Sequence, residues 1–142
     1  MNLVPPPSTW ETDSPPPGPK PRRPWRAKFA DAFRGVKLGM RGHSSFSVHF
    51  FFAALVIAAA IVLQCRPPEW CLLAGCIGLV LTAELFNSAV ETLYHNLDAV
   101  TKARAKPCLD IAAGAVLLAA LTAAIVGAII FWPRLAALLF KE

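Results

Sequence analysis

Residues 70–93 read WCLLAGCIGLVLTAELFNSAVETL. Twenty-four residues at 1.5 Å each make a helix of about 36 Å, enough to cross the ~30 Å of hydrocarbon in a bilayer. The run is apolar to Leu81, and then Glu84, Asn87 and Glu91 enter it at i, i+3 and i+7, on one helical face. Extended, that face reaches His95 and Asp98, and at 100° per residue all five fall within an arc of about 80°. Carboxylates at membrane depth are costly and by default mark function. A polar seam holding helices together is the structural alternative.

Two further runs flank this one. Residues 46–65, FSVHFFFAALVIAAAIVLQC, precede it, and residues 109–132, LDIAAGAVLLAALTAAIVGAIIFW, follow it. Both are of membrane-crossing length, and backbone polar groups in lipid must be satisfied within their own segment, so all three are expected as helices, at about 46–65, 70–93 and 109–132. Pro67-Pro68 is expected to close the first hairpin and Pro133 to end the third helix, with Trp70 and Trp132 at the interfaces. The whole chain agrees: of 142 residues 56% are hydrophobic and mean hydropathy is +0.50, more apolar than a soluble domain of this size sustains.

N-terminal to the spans, Trp25, Phe29, Phe33, Val36 and Met40 are spaced four, four, three and four, a narrow apolar stripe, with Arg23, Arg34, Lys37 and Arg41 towards the other side. This predicts a basic amphipathic helix over about 22–42 that lies on the membrane interface or packs on the protein's own helices. Gly39 and Gly42 offer a bend into the bilayer. Residues 1–21 are expected to be a disordered tail, because nine prolines in the first 25 residues prevent regular helix and build no core. The tail has no apolar h-region of a signal peptide. The expected fold is thus an all-α membrane protein: three transmembrane helices plus an N-terminal interfacial helix, forming one unit over 22–142.

Cys65, Cys71, Cys76 and Cys108 form no CxxC pair and no Cys/His cluster, which argues against zinc and thioredoxin-type chemistry. They are expected as small packing residues, a Cys65–Cys71 disulfide being the weaker option. Orientation follows from Lys and Arg. Lys20, Arg22, Arg23, Arg26, Lys28, Arg34, Lys37, Arg41, Lys102, Arg104 and Lys106 lie on one side, against Arg66, Arg134 and Lys141 on the other. The N-terminus and the loop 98–106 are therefore expected in the cytoplasm, and the 64–69 hairpin and the C-terminus outside.

The polar face suits phosphoryl transfer at a membrane surface. One carboxylate could take the proton of a substrate hydroxyl. Another could hold Mg²⁺ on nucleotide phosphates, Asn87 could orient either, and nearby Lys and Arg could offset phosphate charge. No Walker A sequence and no kinase-type Gly-rich loop is present, so a nucleotide site here has to be built from helices. No nucleic-acid partner is expected.

The stretch AELFNSAVE at 83–91 resembles the signature E-x-x-N-[ST]-A-[IV]-E of the bacterial integral-membrane diacylglycerol and undecaprenol kinases. Ala32-Phe33-Arg34-Gly35, Ser45-Phe46, Val48-His49 and Asp110-Ile111-Ala112-Ala113-Gly114 are similar to the family's interfacial helix and to its entries into the first and third membrane helices, so the resemblance covers roughly 28–135. It implies an ATP-dependent kinase of a membrane lipid alcohol that uses Mg²⁺ and forms a homotrimer in the inner membrane. It implies Glu84 as general base with Asn87 beside it, Glu91 as metal ligand, Ser88 as the motif's small hydroxyl residue and Asp110 near the nucleotide. From the residues themselves, Lys37 and Lys106 are the candidate phosphate contacts, and His95 joins Ser88 as support of the polar face.

The chain also departs from the family. His43 stands where the family usually has a second metal-binding glutamate, Leu109 where it has the lysine before Asp110, and His95 where it has an aspartate. Asp98, one turn beyond His95, and Lys106, one turn before Leu109, are the candidate replacements, with His43 and Asp98 as candidate metal ligands. Histidine is a poor Mg²⁺ ligand, and leucine makes no electrostatic contact with phosphate. A catalytically silent relative that binds lipid or a partner, and a membrane oligomer whose polar stripe serves assembly or ion passage, are the competing readings. The oligomer needs a polar face on another helix, and the first and third spans show little of one.

Overall fold

The computed structural model describes residues 23–41 and 44–140, so the Pro-rich tail, Gly42 and His43 lie outside the described residues. Among the described residues all regular structure is helical: α1 (Trp25–Arg41), α2 (Ser44–Val62), α3 (Pro67–His95) and α4 (Ala99–Leu139). α2, α3 and α4 are each long and apolar enough to cross a membrane. Few side chains are buried, while Phe51, Phe52, Leu55, Ile61, Leu118, Ile125 and Ile129 are exposed. In water that much bare apolar surface would aggregate; in a bilayer it is the surface that lipid covers.

Pro24 precedes α1, and its carbonyl accepts from the N–H groups of Ala27 and Lys28. Asp31 pairs with Arg23 at 3.2 Å and with Arg34 at 3.4 Å, and Lys28 Nζ lies 4.6 Å from the Trp25 ring centroid. The helix approaches α3 through its small residues. A Cβ on Gly39 would come within 2.4 Å of Leu85 Cδ1, so glycine here sets how closely the two helices meet. Ala32, Gly35 and Val36 line the same groove, whereas Trp25, Phe29 and Phe33 are exposed. Of the two expectations for the aromatic stripe, packing on the protein's own helices is not what the described residues adopt for these three rings.

α2 ends without a glycine. Cys65 N–H donates to Ala60 O and Gln64 N–H to Ile61 O, while Gln64 takes a φ of 51°. This is the Schellman arrangement with a side-chain-bearing residue in the left-handed position, and its usual apolar contact is present, since Cys65 packs on the cluster of Ala60, Leu73 and Ile130. Gln64→Gly is expected to stabilise the hairpin by about 1 kcal/mol, because a Cβ in the left-handed region costs about 1–2 kcal/mol and glycine's greater unfolded-state entropy takes part of that back. Thermal unfolding in detergent checks this, and a lower midpoint for the variant would count against it.

Three expectations at helix ends need correction. Pro67 and Pro68 do not lie in the hairpin but occupy the first turn of α3, where the missing N–H groups have no partner to lose, and Glu69 at the third position accepts from Arg66 N–H at 2.6 Å. The 98–106 segment is not a loop: Asp98 caps α4, its Oδ1 accepting from Val100 N–H at 3.0 Å and Thr101 N–H at 3.1 Å, and the helix runs on through Pro107. Nor does Pro133 end α4, which continues to Leu139. Next to Pro133, Arg134 donates to Ile130 O at 2.8 Å and forks onto both Glu69 oxygens at 2.9 and 2.6 Å, tying the start of α3 to the end of α4. The forty-one residues of α4 span about 61 Å, twice the hydrocarbon thickness, so its basic first turns extend beyond the apolar stretch.

α3 and α4 pack antiparallel, and α2 leans on both, with Ala60, Leu73 and Ile130 buried together at the hairpin end and Phe46 buried near the other. All four cysteines are free, so the Cys65–Cys71 bridge is absent.

Candidate functional site

The polar face is confined to the C-terminal half of α3 and is graded in depth. Side-chain exposure rises from 2% at Glu84 to 34% at Glu91 and 67% at His95, so the column opens from a buried end to a wet one. α3 stops at His95, which leaves Asp98 off the column: its carboxylate is engaged as the α4 cap. Hydrogen bonds from Thr101, side chain and backbone, and then from Val100 N–H hold the Asp98 carboxyl below its ordinary value. A depressed carboxylate stabilises the fold above its unfolded-state value, so this cap persists through neutral and mildly acidic pH and is lost as pH falls through its folded value.

Glu84 is buried between α2 and α3. Ser45 Oγ–H donates to its Oε1, and His49 Nε2 lies 3.8 Å from Oε2. One turn on, Ser88 is 1% exposed and its Oγ has no hydrogen-bond partner among the described residues, nor has the buried Oδ1 of Asn87. Thr92 Oγ1 donates to Ser88 O at 2.8 Å, and His95 Nε2 lies 3.6 Å from Glu91 Oε1. Two buried, unpartnered polar atoms beside a buried carboxylate are costly to keep in a fold whose only task is to hold helices together.

The structure therefore brings together Glu84, Asn87, Ser88, Glu91 and His95. Lys37, Lys106 and Asp110 are exposed, on α1 and α4, and His43 lies outside the described residues. Ser45 and His49 went unread as site residues. Their signal is a polar pair at i and i+4 near the start of a largely apolar span, the little polar face that α2 has.

No group of three or more His, Cys, Asp or Glu able to hold a metal is present among the described residues. Nucleotide-bound Mg²⁺ needs fewer protein ligands, because it takes one or two carboxylates along with phosphate oxygens and water. Glu91 and Asn87 Oδ1, an i, i+4 pair of oxygen donors, fit that requirement.

Apolar space adjoins the column on both sides of α3. A cavity of about 480 Å³ lies between α2, α3 and α4, with His49, Val80 and Leu81 in its wall. A groove of about 840 Å³ between α1 and α3 is lined by Gly39, Leu85, Ser88 and Thr92.

The sequence profile of the prokaryotic diacylglycerol kinases matches residues 30–131. The chain is 35% identical over 119 residues to a diacylglycerol kinase of Synechocystis, a match covering 78% of this chain and 64% of that protein. It is 33% identical over 110 residues to an undecaprenol kinase of Bacillus subtilis, covering 75% of this chain and 87% of that one. The chain thus spans somewhat less than two thirds of the first relative's length and most of the second's. No solved structure matches it significantly.

Proposed function

The chain belongs to the prokaryotic diacylglycerol kinase family, and on that premise we propose that it transfers the γ-phosphoryl group of ATP to the hydroxyl of a membrane lipid alcohol, diacylglycerol or undecaprenol. The observation that carries the reading is the position of Glu84, a carboxylate buried at the deep end of a polar column whose other end is wet. A lipid hydroxyl approaches from the apolar side and a soluble nucleotide from the exposed one.

In this reading Glu84 takes the hydroxyl proton as the lipid oxygen attacks phosphorus, the bond to ADP breaks, and ADP leaves. Asn87 orients the base or the metal. Glu91 with Asn87 Oδ1 would hold Mg²⁺, which supplies charge neutralisation on the phosphates when bound. Lys37 and Lys106 face the phosphates from α1 and α4, and Asp110 and His95 complete the polar surround. The protein works as a homotrimer in the bacterial inner membrane.

Incubation of the purified protein with Mg-ATP labelled at the γ-phosphate and a panel of long-chain lipid alcohols tests this. Label in an extracted lipid is the expected result. Its absence from every lipid favours the silent, lipid- or partner-binding relative, for which the departures at His43, His95 and Leu109 would then account.

The same reading sets the orientation. With eleven of the fourteen Lys and Arg on one side, the N-terminus and the start of α4 face the cytoplasm, where ATP is. A cysteine placed at Thr101, in a chain cleared of its own four, is expected to resist impermeant maleimide in intact cells and to react once they are opened. Labelling of intact cells would reverse the topology and remove the site from its nucleotide.

A further inference from the structure

Among the described residues, Glu84 meets two polar side chains, and both come from α2. Ser45 donates to Oε1, and His49 faces Oε2 at 3.8 Å. They sit one turn apart, so a single face of α2 addresses both oxygens of one carboxylate. The rest of the His49 surroundings is apolar. Its ring lines the cavity between α2, α3 and α4 next to Val48, Phe52 and Leu81. A histidine on an apolar helix face is more often simply packed, but here Nε2 faces a carboxylate that is 98% buried and is the candidate base.

Resting on the kinase reading, we propose that His49 is the positioning residue of that base. A carboxylate turns easily about its last bond, and a base that turns loses its aim at the proton it must take. Ser45 restrains one oxygen. His49, with its proton on Nε2, restrains the other. The 3.8 Å separation is an ion-pair distance and not yet a hydrogen bond; catalytic contacts of this kind commonly tighten once substrate is bound. The consequence for the fold is that the base is assembled from two helices. α3 carries Glu84, and α2, otherwise loosely held, aims it.

The test uses full-length protein in lipid vesicles, with His49→Leu, which removes the donor, and His49→Gln, which keeps an N–H. His49→Leu is expected to lower kcat about tenfold to a hundredfold, the cost of a misplaced catalytic group, with KM for Mg-ATP unchanged. His49→Gln is expected to recover most of that loss. Equal losses in the two variants, or a change confined to KM, would overturn the assignment.

A second measurement does not depend on turnover. In protein carrying ¹⁵N-histidine, the His49 ring resonance, identified by its loss in His49→Gln, is expected to report a protonated Nε2 and to move in Glu84→Gln. A resonance that ignores Glu84→Gln overturns the proposal even if His49→Leu fails to fold. Should wild type phosphorylate no lipid, the kinase reading fails by itself, and the nitrogen spectrum still decides whether His49 restrains Glu84.

Discussion

Glu84→Gln leaves a folded membrane protein that turns over about 10²–10⁴-fold more slowly, the usual contribution of a general base. Glutamine has the shape of glutamate, and its carbonyl can still accept from Ser45, so the packing between α2 and α3 survives. Removing a buried charge does not itself destabilise a site where the charge was costly to bury. The loss therefore belongs to chemistry, and it is read as kcat at saturating Mg-ATP and lipid, with an unchanged elution profile as control. KM for Mg-ATP stays close to wild type, because the nucleotide sits at the other, wetter end of the column. A variant with near-normal kcat would make Glu84 a structural carboxylate and move the base elsewhere. Glu91 is the contrast. If it holds the metal, Glu91→Gln alters the response to Mg²⁺ concentration and to Mn²⁺, which Glu84→Gln leaves alone.

The three spans were legible because lipid imposes the strictest pattern a sequence can carry: length and hydropathy alone mark Ser45–Val62, Pro67–His95 and Ala99–Leu139 as able to cross. The face bearing Glu84, Asn87 and Glu91 was legible from the 100° rule, since a polar residue in an apolar run has no other reason to recur at i+3 and i+7. Local rules failed where tertiary context or a cap took precedence. Pro133 read as a helix end and the third span was begun at 109, beyond Pro107, yet a proline removes one N–H, and in a helix capped at Asp98 and tied by Arg134 to Glu69 the cost is spread rather than fatal. Asp98 read as part of the polar column because the column was extended past the point where α3 stops. Ser45 and His49 were passed over for the opposite reason. Ser45 just before a twenty-residue apolar run and His49 near its start carry little pattern until a second helix puts a carboxylate against them.

The continuity of α4 through Pro107 gives Lys106 a definite place. Lys106 and Asp110 are i and i+4 on one helix, about 40° apart, so Lys106 stands one turn below Asp110 on the same side, where a loop would have left its direction open. Leu109 lies about 60° from Lys106 in the other direction and is half-buried. If Lys106 supplies the phosphate contact that Leu109 lacks, Lys106→Ala lowers kcat/KM for Mg-ATP. A charge-assisted hydrogen bond contributes about 1.5–3 kcal/mol, or roughly ten- to 150-fold. Lys106 is exposed, and salt screens exposed charge, so the lower end of that range is expected, with the deficit shrinking as ionic strength rises. Leu109→Lys in the Lys106→Ala background then restores most of the loss, because a lysine one turn further along the helix reaches the same phosphates. In the wild-type background the same change adds less, since the two cations serve one group and their effects are not additive. Measured as a double-mutant cycle at two salt concentrations, the four proteins separate a shared phosphate contact from two independent ones. If Lys106→Ala is neutral and Leu109→Lys alone raises kcat/KM, the family's lysine position is vacant in this chain. If both are neutral, the phosphates lie away from α4, and Lys37 on α1 becomes the cation to remove.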